Sequence, residues 1–238
     1  MSSARNPGRV AGFIYLLLSV IAPFRLMYIP NALFVRGNAT ATANNIVAHE
    51  TLFRLGIVSD LISGVIVIFL AAGSLPVVQG SGPEPGGADG DPGGVLPSAI
   101  DFFNVLNDAA AMMLARGADF LSVFDQPQRN ALAMLFLRLH DHENFAAEIF
   151  WGLWLIPLAI LVYRSGFLPR FLGVWLTING FAYVALSFTG WLLPQYYAVA
   201  FNSAFPVLFG ELAFMLWLVI KGAKPKPSVV PASSAAGG

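Results

Sequence analysis

An all-α fold, a polytopic transmembrane helical bundle, is what this sequence predicts, and three observations carry the prediction. Apolar runs fill the chain at 10–29, 52–73, 95–115, 145–163, 171–193 and 199–220, and a membrane helix needs roughly 20 such residues. Only 11% of the 238 residues are charged while 57% are hydrophobic, too few charges to clothe a soluble core, where roughly 25% is usual. The runs are also too continuously apolar for barrel strands, which alternate. In lipid the backbone must satisfy its own polar groups, so helices are what is left. About six membrane helices are expected, the third of them short or disrupted.

The first run follows Arg5 and Arg9, as in a signal peptide. No small-x-small cleavage site follows it, and Arg25 together with the later runs favours an uncleaved first membrane helix. Pro30-Asn31 is expected to end that helix. Asn38 to Thr42 supplies N-cap residues for a lead-in to the second. Ser165-Gly166 closes the fourth and Pro169 opens the fifth. Pro194 ends the fifth, and Gly222 with Pro225 ends the sixth. Residues 126–140 set Ala131, Met134, Leu135, Leu137 and Leu139 beside Arg129 and Arg138, the pattern of an interfacial helix leading into the fourth span. The expected organisation is one transmembrane domain over 1–222, a Gly/Pro-rich loop at 74–94 and a disordered tail at 223–238.

With six spans both termini share a side. That side collects Arg5, Arg9, Arg164, Arg170, Lys221, Lys224 and Lys226, against Arg36, Arg116 and Arg129 opposite. The bias places both termini in the cytoplasm.

The segment 73–97 does not fit. It is rich in Gly and Pro, carries Glu84, Asp89 and Asp91, and holds no Lys or Arg where a cytoplasmic loop calls for them. One reading is a flexible linker. The other is a hypothesis about the codons. Shifted by one nucleotide, those for 75–80 permit Tyr-Arg-Leu-Phe-Lys-Gly, and those for 83–92 permit Arg-Asn-Leu-Ala-Val-Leu-Met-Val-Ile-Leu. Gln79 before Gly80 forces a Lys or Arg in that frame. Two compensating frameshifts would thus have overwritten a basic turn and the first half of the third helix.

Several punctuating motifs are shared with a known family. They are Arg9-Val10-Ala11-Gly12 with Tyr15, Leu52-Phe53-Arg54-Leu55-Gly56 with Asp60-Leu61, and Phe136-Leu137-Arg138-Leu139-His140. Further along come Tyr163-Arg164-Ser165-Gly166-Phe167-Leu168-Pro169-Arg170 with Leu172-Gly173, and Gly210-Glu211-Leu212 with Leu216-Trp217-Leu218. In this order and spacing they resemble DUF4386, a bacterial family of integral membrane proteins, over nearly the whole chain except 74–94. The resemblance implies a multi-pass protein of the bacterial inner membrane. It also implies a basic turn and an apolar run where this chain has Gly and Pro. It brings no activity with it.

Ionisable residues inside apolar runs are the functional clue, because charge at that depth is costly and faces a packed interior or a wet cavity. The candidate polar intramembrane site comprises Arg25, Asp60, Asp101, Asn104, Asp108, Glu148 and Glu211. Asp101, Asn104 and Asp108 stand at i, i+3 and i+7, one polar stripe backed by Phe102, Phe103, Val105 and Leu106. Such a stripe can hold a cation, relay protons, or bond to neighbouring helices. Arg25 and Arg54 are the natural counter-charges for Asp60 and Glu211. His140, His142 and Glu143 are weak metal candidates; their H-x-H-E order is not that of helical zinc hydrolases, and a solvated interfacial turn accounts for them as well. Tryptophans and tyrosines near the helix ends, Tyr196 and Tyr197 among them, read as an interfacial belt.

With 13 basic and 13 acidic residues nothing points to nucleic acid, and the absence of cysteine excludes disulfides and thiolate chemistry. Gly86-Gly87 and Gly93-Gly94 lack the Lys-Ser/Thr of a phosphate loop. No cofactor is expected, and the partner is the lipid bilayer. Three classes of function stay open: a protein that binds or moves a small molecule, ion or lipid, a structural or partner-binding membrane protein, and an intramembrane metal-dependent enzyme.

Overall fold

The computed structural model describes residues 6–79, 92–166 and 168–222, without the side chains of Pro7, 71–79 and 92–101. The described residues are helical throughout, with short turns between. In order they form α1 (Pro7–Pro23), a π turn (Phe24–Tyr28), α2 (Ile29–Leu33), α3 (Ala39–Ala48), α4 (Glu50–Gln79), α5 (Pro92–Arg116), α6 (Gln126–Arg164), α7 (Arg170–Leu192) and α8 (Tyr197–Lys221). Among these residues, five helical stretches are long and apolar enough to cross a membrane: Gly8–Leu33, Glu50–Leu70, Gln126–Arg164, Arg170–Leu192 and Pro194–Lys221. The chain is an all-α bundle with the makeup of a multi-pass membrane protein.

Capping residues set most boundaries as the sequence implies. Asn38 caps α3 by accepting from the Ala41 amide at 2.9 Å. Asp125 and Gln128 form a capping box at the start of α6. Gly166 turns the chain with φ +73° between α6 and α7, and Gly222 ends α8 with φ +70°, conformations that only glycine adopts at little cost.

Three boundaries differ from expectation. The first helix does not end at Pro30. A π turn absorbs the break, the Ile29 amide bonding back to the Phe24 carbonyl, and helix continues to Leu33. Residues 126–140 are not a separate interfacial helix but the first part of α6. That helix has 39 residues and so runs about 58 Å, well beyond a hydrocarbon core of about 30 Å. Finally, α4 continues through Gln79 and α5 begins at Pro92, so helix covers both edges of the expected 74–94 loop. The rest of that segment and the tail at 223–238 lie outside the described residues.

Two apolar cores occupy opposite parts of the bundle. Ile29, Leu33, Ile46, Phe53, Ala111, Leu114, Ala133 and Leu137 form one, where α2 to α6 meet. Leu155, Leu158, Val162, Leu172, Leu176, Phe214 and Leu218 form the other, where α6, α7 and α8 meet. Helix α6 feeds both, and its middle, from His140 to Glu148, lies between them. Small residues bring α6 and α7 close: a Cβ on Gly152 would lie 2.4 Å from the Gly180 carbonyl oxygen. On α5 the usual amphipathicity is inverted. Phe103 and Leu106 are exposed, while Asn104 and Asp108 are buried.

Candidate functional site

The π turn aims Arg25 into the bundle. Its side chain is 1% exposed, and Gly56 on α4 makes room for it: a Cβ there would meet Arg25 Cδ at 3.1 Å. The guanidinium donates from Nε to Asp108 Oδ2 at 2.7 Å and from Nη2 to Asp108 Oδ1 at 2.5 Å. This is the bidentate fork that arginine makes with carboxylates. Asp60 Oδ2 lies 3.7 Å from Arg25 Nε. His140 Nδ1 is 3.3 Å from Asp108 Oδ1, close enough to interact but outside hydrogen-bonding geometry, and neither ring nitrogen has a hydrogen-bond partner. The Phe34 ring covers the guanidinium at 5.8 Å.

Four elements therefore converge on one cluster: the π turn, α4, α5 and α6. Asn104 anchors α5 beside it, donating to the His140 carbonyl at 3.2 Å and to Asn144 Oδ1 at 3.3 Å. Asn107 donates to Asn104 Oδ1 at 3.2 Å and to Glu143 Oε2 at 3.0 Å. Of the α5 stripe foreseen from spacing, Asn104 thus faces α6 and Asp108 faces Arg25. Asp101 lies on α5, but its side chain is outside the description.

Other candidates go elsewhere. Glu148 accepts from the Tyr197 hydroxyl of α8. Glu211 accepts from Tyr15 on α1, and from Tyr183 on α7 at 3.2 Å. Among the described residues neither glutamate bonds an arginine. Arg54, expected as a counter-charge within the membrane, instead pairs with Glu50 at 2.6 Å in an exposed setting. The tyrosine partners escaped sequence reasoning because residues such as Tyr197 read equally well as an interfacial belt. Tyr15 stands inside one of the shared motifs, but its partner is 196 residues away.

The weak metal candidates do not come together. His142 points away from His140: its Nδ1 lies 2.7 Å from the Arg138 carbonyl oxygen and its ring packs edge-on to Trp191. Glu143 is held by Asn107. A different set, Asp60, Asp108 and His140, brings its ligand atoms within 4.8 Å of one another. Carboxylate and imidazole are ligands a divalent metal accepts, yet Arg25 already covers both Asp108 oxygens. A metal would have to displace a guanidinium from its fork.

The family model described as "Domain of unknown function (DUF4386)" matches residues 10–222. An uncharacterized protein of Archaeoglobus fulgidus is 40% identical over 95 residues, which make up 37% of this chain and 54% of that protein. The chain thus spans about half the length of the curated relative it matches. No solved structure matches.

Proposed function

The chain belongs to the DUF4386 family, and from that premise we propose that it is a non-enzymatic membrane protein that binds a small ion, the proton first among them, and moves it through a polar interior. One observation carries this reading. Arg25, Asp108 and His140 are buried side by side with half-buried Asp60 at their edge, and neither ring nitrogen of His140 has a hydrogen-bond partner. Two carboxylates and one imidazole gather around a single guanidinium. Charge in a low-dielectric interior is costly, and carboxylate and imidazole are groups that take up and release protons. Proton-carrying groups of this kind mark ion paths in membrane bundles.

The test is proton flux into proteoliposomes containing the full chain, followed with an entrapped pH-sensitive dye under an imposed gradient. Flux is expected from the wild type and is expected to fall at least tenfold in Asp60→Asn and His140→Gln. Flux no greater than in empty liposomes sinks the reading, as does flux unchanged in both variants.

A second reading has its own support. Because Arg25 binds both Asp108 oxygens, the cluster can serve to fix helix register with no ion moving at all. Unchanged flux with lowered stability in Asp60→Asn selects it.

The bundle is proposed to be one transmembrane domain over 1–222 in the cell membrane with its termini in the cytoplasm. In support, Arg9 on α1 donates to the Ile220 carbonyl on α8 at 3.1 Å, which sets the start of α1 beside the end of α8. Lys221 closes α8 at that same end, so basic residues gather there. Reporter fusions at either terminus check the side.

A further inference from the structure

A second buried acid lies outside the arginine cluster. Glu148 is 4% exposed on α6, two helical turns beyond His140. Its Oε1 accepts from Tyr197, and its Oε2 has no hydrogen-bond partner. No cationic side chain among the described residues is bonded to it. The basic residues of this half of the bundle stand at helix ends, where Arg9 bonds the Ile220 carbonyl and Arg170 lies over the Tyr163 ring at 5.6 Å.

The register of α6 against α7 supplies a second group. A Cβ on Gly152 would meet Val184 Cγ2 at 2.8 Å, and one on Gly190 would meet the Phe145 ring at 2.7 Å. These contacts bracket an antiparallel pair in which 184–190 runs against 145–152. Ser187 and Glu148 therefore fall at one level. Ser187 is fully buried, and its Oγ also has no partner. Two unpartnered oxygens thus stand at one level of the helix pair, with the Tyr197 hydroxyl bonded to the same carboxylate. Phe145 packs against Tyr197 with the rings tilted and 4.5 Å apart, and Phe201 stacks on Tyr197 at 6.2 Å, lining the place with apolar rings.

We propose that Glu148, Ser187 and Tyr197 form a binding site for one small monovalent cation, a proton or an alkali ion, distinct from the Arg25 cluster. The donor set is oxygen only, which suits a hard cation. One carboxylate matches one positive charge, whereas a divalent ion needs more acidic ligands. The other ionisable groups near the site are Tyr183 of α7, Asp141 of α6, whose charge reaches Tyr197, and, one tyrosine away, Glu211 of α8, which Tyr183 bonds. Glu211 is set apart, because tyrosines serve both its oxygens. The site deepens the ion-binding reading above, but its test does not depend on flux.

The experiment uses the full chain in lipid nanodiscs. Infrared spectra across a pH series detect a protonated carboxyl, and Trp151, packed on the Tyr183 ring at 5.9 Å, reports alkali binding by its fluorescence during a NaCl titration at constant ionic strength. One of two signals is expected: a carboxyl band lost in Glu148→Gln, identifying the proton, or a sodium response lost in that variant, identifying the alkali ion. Ser187→Ala is expected to weaken the sodium response, or to shift the carboxyl band in frequency. Glutamine keeps an acceptor for Tyr197, and Ser187→Ala leaves the acid in place, so misfolding of one variant does not stop the test. Absence of both signals in the wild type overturns the proposal, as does survival of the observed signal in Glu148→Gln. Asp60→Asn, measured in parallel, is expected to retain the signal. Flux lost with this signal kept tells against neither site, whereas flux absent in the wild type with this signal kept removes only the reading built on Arg25.

Discussion

Arg25 and Asp108, 83 residues apart in sequence, hold each other through two hydrogen bonds of 2.7 and 2.5 Å, and neither side chain is more than 1% exposed. The pair ties the π turn of the first span to α5, so whatever else the cluster does, it sets how those segments sit.

Breaking this pair from one side leaves a buried charge without its partner. Asp108→Asn is expected to destabilise the bundle by about 3–5 kcal/mol. Unfolding in mild detergent, followed by circular dichroism, measures it. Replacing both partners with apolar residues, Arg25→Met with Asp108→Leu, is expected to recover most of the loss. No recovery would mean that Arg25 depends on groups other than Asp108.

Asp60 stands differently in the same cluster. It is 3.7 Å from Arg25 and its side chain is 16% exposed, so Asp60→Asn is expected to cost about 1 kcal/mol. The proton flux proposed above should nevertheless fall at least tenfold in this variant. Stability and flux changing in proportion would argue for a structural role alone.

Helix proximity gives a test independent of charge. At Gly152 an added Cβ meets the Gly180 carbonyl oxygen, a backbone atom that cannot swing aside. Gly152→Ala is therefore expected to part α6 from α7 at a cost of about 1–3 kcal/mol. Gly37 has φ +73° and open space around it, so Gly37→Ala is expected to cost only the strain of a left-handed alanine, about 1–2 kcal/mol. Melting of the two variants side by side, with a pair of cysteines cross-linking α6 to α7 as a distance reporter, separates the effects. Only Gly152→Ala should lower the cross-linking yield.

The nucleotide sequence tests the 75–93 segment directly. Codons there are expected to read, one nucleotide out of frame, as a basic turn followed by an apolar run. A chain carrying that restored peptide is expected to reach the membrane in higher yield than this one. Codons incompatible with the shifted peptide end the frameshift hypothesis and leave a Gly/Pro-rich linker.

Much of the fold was legible in the chain because local physics sets it. Continuous apolar runs can span lipid only as helices, and Asn38, Gly166 and Gly222 mark ends through caps and left-handed turns that act over a few residues. Legibility failed where a long-range partner outweighed a local signal. Pro30 reads as a stop, yet the π turn carries the helix past it. Residues 126–140 are amphipathic enough for an interface, yet helix continues through them into the fourth span without a break.

The site divides in the same way. Spacing alone placed Asn104 and Asp108 on one face of α5, since a helix repeats every 3.6 residues. It did not fix which acid takes Arg25, and it set Asp60 and Glu211 ahead of Asp108 as the partners. Only the tertiary structure decided that Arg25 grips Asp108, that His140 joins Asp60 beside it, and that tyrosines from other helices serve Glu148 and Glu211. The composition of this chain determined that it belongs in a membrane and that polar groups lie inside it. Their pairing depends on helix rotation and register, which come from close approaches such as Gly152 against Gly180 across the bundle, and no local pattern encodes those.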